Sequence, residues 1–285
     1  MSDTPPQIFD PHLRALHRDR AHAHFAAHDF LHRRMAEEVI DRLMDVKRPF
    51  GEALVVGAPD AWIADQLRAQ GQRVLSCDPG FLNARAAGGI QADEDALPFA
   101  DASFDLIVAV GTLDSVNDLP GALVLMNRIL RPDGLMLAAF YGAGTLPRLR
   151  TALQAAEGDR PGQHVHPMID LRAAGDLLSR AGFRMPVADG ETVQVRYGSL
   201  FGLMEDLRGM GAANALASHP PALTRTGLVE AVAYFAASGD PDGKTAEQFA
   251  IIHLSGWKAD PSQTGPARRG SGKISLAEAL KPKAN

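Results

Sequence analysis

Acidic residues and glycines stand where apolar runs end, and that placement sets the chemistry open to this chain. Ala53-Leu54-Val55-Val56 runs into Gly57, Val74-Leu75-Ser76-Cys77 runs into Asp78, and Phe104 to Val110 runs into Gly111-Thr112, with Asp114 two residues on. In open α/β sheets a glycine after the first strand lets a ligand approach backbone amides. A carboxylate after the second strand accepts hydrogen bonds from ribose hydroxyls. An acidic loop, Asp93-Glu94-Asp95, precedes the Phe104 run. Gly57, Asp78, Asp93, Glu94, Val110, Gly111 and Thr112 are therefore the candidate binding set for a nucleoside-bearing ligand. Asp114, Tyr141 and His166 are the candidate catalytic set. Asp114 sits where such sheets present functional residues, or caps a turn. Tyr141 orients a substrate or is half-buried core. A loop histidine such as His166 serves as a general base, or merely caps and faces water.

Alternating strands and amphipathic helices must position these groups. Helical spacing follows the first strand over Ala61 to Gln70, after Asp60 as a cap, and Gly71 closes that helix. Pro120 to Leu130 carries Leu123, Met126, Ile129 and Leu130 at helical spacing, and Arg131-Pro132-Asp133-Gly134 turns into a strand over Leu135 to Phe140. Thr145 to Glu157 and Asp170 to Gly182 read as helices, with the Gly158 to Pro167 loop between them. Val187 to Val195 supplies strand segments, Ser199 to Met210 and Arg225 to Ser238 are helical, and Ala246 to Gly256 alternates as a strand apolar on both faces. The pattern is an α/β, doubly wound sheet.

Several short runs make the likeness specific. Ala96-Leu97-Pro98-Phe99, Ser103-Phe104-Asp105 and Arg131-Pro132-Asp133-Gly134 resemble the core of class I S-adenosylmethionine-dependent methyltransferases. Asn117-Asp118-Leu119-Pro120, Leu203 to Leu207, Gly209-Met210-Gly211, Gly256-Trp257-Lys258 and Arg269-Gly270-Ser271 resemble one branch, the methyltransferase-like assembly factors of respiratory complex I. That branch is related to biotin-pathway carboxyl methyltransferases, and the likeness spans nearly the whole chain. It implies a Rossmann-like fold, with a mostly parallel seven-stranded sheet, an antiparallel last strand, N-terminal helices over the cofactor and a helical cap. It implies S-adenosyl-L-methionine as cofactor, with Asp78 and Asp93 at the ribose and adenine positions. It also implies a protein substrate, an arginine of a complex I subunit, modified by hydroxylation rather than methylation. His166 would then lie near the cofactor's sulfonium. The expected organisation is a helical lid over 1–50, a methyltransferase-like domain over 51–257 with a helical insert at 199–238, and a disordered tail over 258–285.

The chain departs from the family at the loop after the first strand. Val55-Val56-Gly57-Ala58-Pro59-Asp60-Ala61 keeps Gly57 of three expected glycines, Val55 replaces an acid, and Pro59 has no amide to donate. The nucleoside half of the pocket is thus better kept than the methionine half. Two readings follow: an enzyme that modifies a protein side chain, and a non-catalytic assembly factor with a degenerate cofactor site.

Composition bounds the rest. The 285 residues are 46% hydrophobic, ample for a large core, and the net charge of -5 gives no global reason to expect nucleic acid. No apolar run approaches a membrane span, and no Walker loop, zincin helix or nucleophile elbow appears. The one cysteine, Cys77, reads as a small core residue. His24, His28 and His32, spaced four apart in a helical Pro11 to Met44 stretch, would share one face. The set lacks a fixed acidic or cysteine ligand, so no metal site is assigned. Glu205 and Asp206 read as solvated. Arg268 and Arg269 read as solubilising residues of the tail. Early acids, Asp3 and Asp10, argue against a mitochondrial presequence, and the expectation is a cytoplasmic protein.

Overall fold

The computed structural model describes residues 7–157 and 162–262. Seven strands form one sheet in the order β3-β2-β1-β4-β5-β7-β6. β1 (Glu52–Val56), β2 (Arg73–Asp78), β3 (Ile90–Gln91), β4 (Phe104–Val110) and β5 (Leu130–Tyr141) run parallel. β7 (Thr245–Lys258) lies antiparallel between β5 and β6 (Phe183–Tyr197). The expected doubly wound sheet with an inserted antiparallel last strand is what forms.

Alternation along the strands feeds two cores. Val55, Leu106, Val108, Leu137 and Ala139 pack on one face, and Leu54, Val56, Ile107, Met136 and Phe140 on the other. Both faces are apolar because helices cover both. The first face takes α2 (Phe30–Met44), α3 (Trp62–Ala69) and α6 (Pro147–Ala156). The second takes α5 (Leu119–Ile129) and α7 (Leu171–Arg180). α4 (Phe81–Ala86) follows β2, while α8 (Leu200–Gly209) and α9 (Arg225–Ala237) lie between β6 and β7.

The stretch expected to be helical from Pro11 to Met44 is broken. α1 (Pro11–His22) begins where Asp10 Oδ1 accepts from the Leu13 amide, 3.0 Å away, with proline in its first turn. It ends at Ala23, and a short 3-10 turn over Phe25–Ala27 separates it from α2. The three histidines therefore do not share a face. His24 precedes the 3-10 turn, His28 meets Asp206 Oδ1 at 2.7 Å, and His32 is buried in α2. No metal-holding cluster occurs among the described residues. Asp206 is accordingly paired rather than simply solvated.

Other boundaries shift too. β5 starts at Leu130, so the Arg131–Gly134 turn is an irregularity within the strand: Phe104 pairs with Leu130 and Leu106 with Leu135, and Asp133 takes φ +61°. Lys258 belongs to β7 rather than to a tail; it pairs with Phe183, and its Nζ donates to the Asn127 carbonyl at 2.7 Å. Arg268, Arg269 and the tail beyond Ser262 lie outside the described residues, as do 158–161 of the loop before His166.

Candidate functional site

The strand ends place the predicted acids together, and the amino-terminal helix meets them. Gly57 turns at φ +73° with its amide on the Cys77 carbonyl at 2.9 Å, and a Cβ there would stand 2.5 Å from Thr112. Only glycine fits that approach. Cys77 itself is fully buried, and burial pushes its thiol pKa up. Asp78 is completely buried at the end of β2, where it accepts from the Gly80 amide at 2.7 Å and from Asn83 Nδ2 at 3.3 Å. Glu94 is equally buried, but Asp93 keeps 44% of its side chain exposed. Of that acidic loop, Glu94 faces inward. Thr112 donates its hydroxyl to Glu94, and Gly111 takes φ +62° with its amide on Ala139.

Both buried carboxylates are held by arginines of α1. Arg18 grips Asp78 with two bonds, Nε to Oδ1 at 2.9 Å and Nη2 to Oδ2 at 2.5 Å. Arg14 grips Glu94 at 2.6 and 2.8 Å, donates to the carbonyl and hydroxyl of Thr112 at 2.8 and 2.9 Å, and donates from Nε to Ser115 Oγ at 2.9 Å. Both guanidinium groups are more than nine-tenths buried. Burial alone would raise the Glu94 pKa; the Arg14 charge and hydrogen bonds outweigh it and hold Glu94 below the usual carboxylate range. Asp93, half in water, is shifted upward by partial burial and by the Glu94 charge.

Asp114, Tyr141 and His166 do come together, at a junction of two cavities that all three line. One is a small gap of about 40 Å³ and mixed lining beneath Arg14, Arg18 and His32. The other is a chamber of about 290 Å³ walled largely by Leu146, Leu149, Leu153, Met168, Met204 and Phe249. Burial pushes the Asp114 carboxyl up, against the pull of Arg14. Tyr141 is buried and tilted against Phe249, its hydroxyl 3.7 Å from Met210 Sδ, and burial raises its pKa.

His166 differs from the sequence expectation. Its Nε2 accepts from the Ala215 amide at 2.9 Å and its ring meets Phe9 edge-on at 4.9 Å. Burial lowers its pKa to about 4. The lone pair a general base needs is thereby committed to the backbone, and the ring is a wall and a brace. Sequence reasoning also missed Arg14 and Arg18. Their one-turn spacing on an amino-terminal helix was the available signal, yet nothing in the sequence sets its register against acids 60 to 80 residues away.

Comparison with known proteins fits this geometry. Residues 25–186 match a family described as a methyltransferase domain. The chain is 35% identical over 288 residues to arginine-hydroxylase NDUFAF5, mitochondrial, of Danio rerio, covering 96% of this chain and 90% of that protein. The chain belongs to the methyltransferase family, in the branch of the NDUFAF5 arginine hydroxylases. It is also 30% identical to the malonyl-[acyl-carrier protein] O-methyltransferase of a Methylovorus strain, over 84% of this chain and 86% of that one. Among solved structures, the YcgJ protein of Bacillus subtilis shares the fold at a TM-score of 0.56 and 14% identity, covering 79% of this chain and 99% of its own. The cytoplasmic expectation is overturned by the family members named mitochondrial, from fish to human. Two early acids were too weak a signal to place the protein.

Members of this family carry S-adenosyl-L-methionine, and the residues at its expected site match it in kind but not in space. Two buried carboxylates and the Gly57 turn are the right groups for a nucleoside. Arg14 and Arg18 fill the ground in front of them, and the gaps on either side of Arg14 measure about 40 and about 30 Å³. A ligand of that size needs several-fold more, on the order of 300 Å³ or above.

Proposed function

We propose that this protein modifies an arginine side chain of a respiratory complex I subunit during assembly in mitochondria, with S-adenosyl-L-methionine as its cofactor. One observation carries the reading: the apolar chamber meets the strand ends at Asp114, and Asp114 is the one carboxylate among its lining residues. Leucine and methionine walls suit the methylenes of an arginine, and a half-buried acid at the end suits its guanidinium. Asp114 would bind and orient the substrate, Tyr141 and Phe249 would shape the approach, and His166 would brace the Ala215 loop that closes it. Gly57, Asp78, Asp93, Glu94 and the Val110, Gly111, Thr112 turn would hold the cofactor, which supplies an electrophilic methyl group when bound.

The second reading, a non-catalytic assembly factor, is favoured by the filling of the nucleoside acids by Arg14 and Arg18. One experiment separates the two. In cells lacking the protein, complex I subunits are analysed by mass spectrometry for arginines bearing an added methyl group or oxygen, with rescue by wild type or Asp114→Asn. Loss of a modified arginine, restored by wild type alone, supports the enzyme. Failed assembly with every arginine unchanged supports the scaffold. Normal assembly and unchanged modification in the deletion would refute both.

A further inference from the structure

The cofactor assignment above leaves a conflict, since the acids it relies on are already paired. We propose that α1 is the resident ligand of the nucleoside site: Arg14 and Arg18 compete with the S-adenosyl group for Glu94 and Asp78, and the helix must leave before the cofactor binds. This is the opposite of a lid, which would close over a ligand and gain contacts from it.

Three observations beyond the ion pairs support displacement. First, α1 joins α4 through polar contacts that end at the same acid: Asp19 Oδ1 accepts from the Leu82 amide at 2.8 Å, and His22 Nδ1 meets Asn83 Oδ1 at 2.8 Å while Asn83 turns its amide to Asp78. The whole helix is thus registered on the nucleoside site. Second, His32 is 6% exposed, and neither ring nitrogen has a partner in hydrogen-bond geometry; the Val110 backbone comes near enough only to nudge its pKa, the least of the influences on it. It lines the small gap beside both arginines. A buried polar ring left unmatched marks a place arranged for other contacts. Third, the two ends of the helix are tied differently, the first through backbone amides and the last through the Asp19 and His22 side chains. Asn117 Oδ1 accepts from the Ile8 and Phe9 amides at 2.9 and 2.8 Å, its Nδ2 donates to the Phe9 carbonyl, and the Asp10 amide bonds to Ala215. The other end passes into the short turn of Ala23 to Asp29, which carries no long helix. A pivot about Phe9 and Asp10 would withdraw both arginines together.

The test is hydrogen exchange on the full chain with and without S-adenosylhomocysteine, alongside calorimetric titration of wild type, Arg18→Ala and Arg18→Gln. Displacement predicts that amides of residues 12–22 exchange at least tenfold faster with ligand, and that the variants bind at least tenfold more tightly than wild type. Binding by a folded variant where wild type shows none supports it equally. If residues 12–22 gain protection when wild type binds, or the folded variants bind no more tightly, α1 is an ordinary lid and the proposal falls while the cofactor assignment stands. Silence from wild type and both folded variants overturns the two together. Should neither variant fold, the exchange measurement on wild type decides alone.

Discussion

Two cavities share Asp114 and are built in opposite ways. The chamber toward α6 and α8 is largely apolar and persists at about 290 Å³, whereas the space around Arg14 and Arg18, which hold Glu94 and Asp78, is of mixed polarity and closed to small gaps. Burial physics explains the contrast. Leucine and methionine walls demand no partner, so a chamber lined by them can stay roomy. A buried carboxylate cannot stay unpaired without a penalty of several kcal/mol, so positive charge must reach it. Here the chain supplies that charge from its own first helix. A degenerate loop after β1 and an intact acid pair thus give a site that is chemically legible and sterically shut.

The strongest test of that contrast is Glu94→Gln, which removes the close, buried charge partner of Arg14 and leaves it, as an ion pair, only the distant, half-exposed Asp93 at 4.0 Å. Chemical denaturation should show a loss of about 3–5 kcal/mol. A loss below about 1 kcal/mol would mean that the ion pairs do not hold the closed side.

Acid should act nearly as strongly, and through different residues. His32 and His166 bind protons near pH 3 and pH 4 in the folded chain, against an ordinary value of 6.5. Between those limits the unfolded chain holds more protons, so stability falls as pH drops from about 6.5 toward 4, by on the order of 3 kcal/mol for each of the two histidines. Glu94, held low by Arg14, adds its own loss only below its ordinary value of 4.5. Melts from pH 7 to 4 on wild type and His166→Asn should separate the histidine part.

Gly57→Ala combines a left-handed backbone with a Cβ 2.5 Å from Thr112, and should destabilise by about 2 kcal/mol. Its effect would reach Glu94 through Thr112, and so the closed side only. On the open side, Met204→Trp places a ring into the chamber and should change stability by no more than about 1 kcal/mol. Modification of the arginine substrate in the rescue assay should nonetheless disappear. Retained modification would remove the chamber from the substrate path.

The sheet was readable because each strand is a short apolar run that ends in a turn; Asp78 was readable because it ends such a run, and Asp114 because it falls in the turn just beyond one. Contacts set by helix register were not. Arg14 and Arg18 read as ordinary helix cations until α1 is placed on the strand ends. His24, His28 and His32 read as one face because spacing alone does not reveal the break at Ala23 to Asp29. His166 was found by position, but its committed lone pair depends on Ala215, 49 residues away. The Asp93-Glu94 pair showed that an acid was needed without showing which of the two turns inward.

β7 gives the chain a timing problem. Among the described residues it is the one strand paired with β6, and it fills the space beside β5, yet it is read from residues 245 to 258. While the ribosome is still producing the cap helices, β5 displays a bare edge of hydrogen-bonding groups from Leu135 to Tyr141, flanked by fully apolar side chains. Such an edge recruits other chains. Nascent protein stalled before Thr245 should therefore be a client for chaperones, and its yield should depend on them far more than the stability of the finished sheet would suggest.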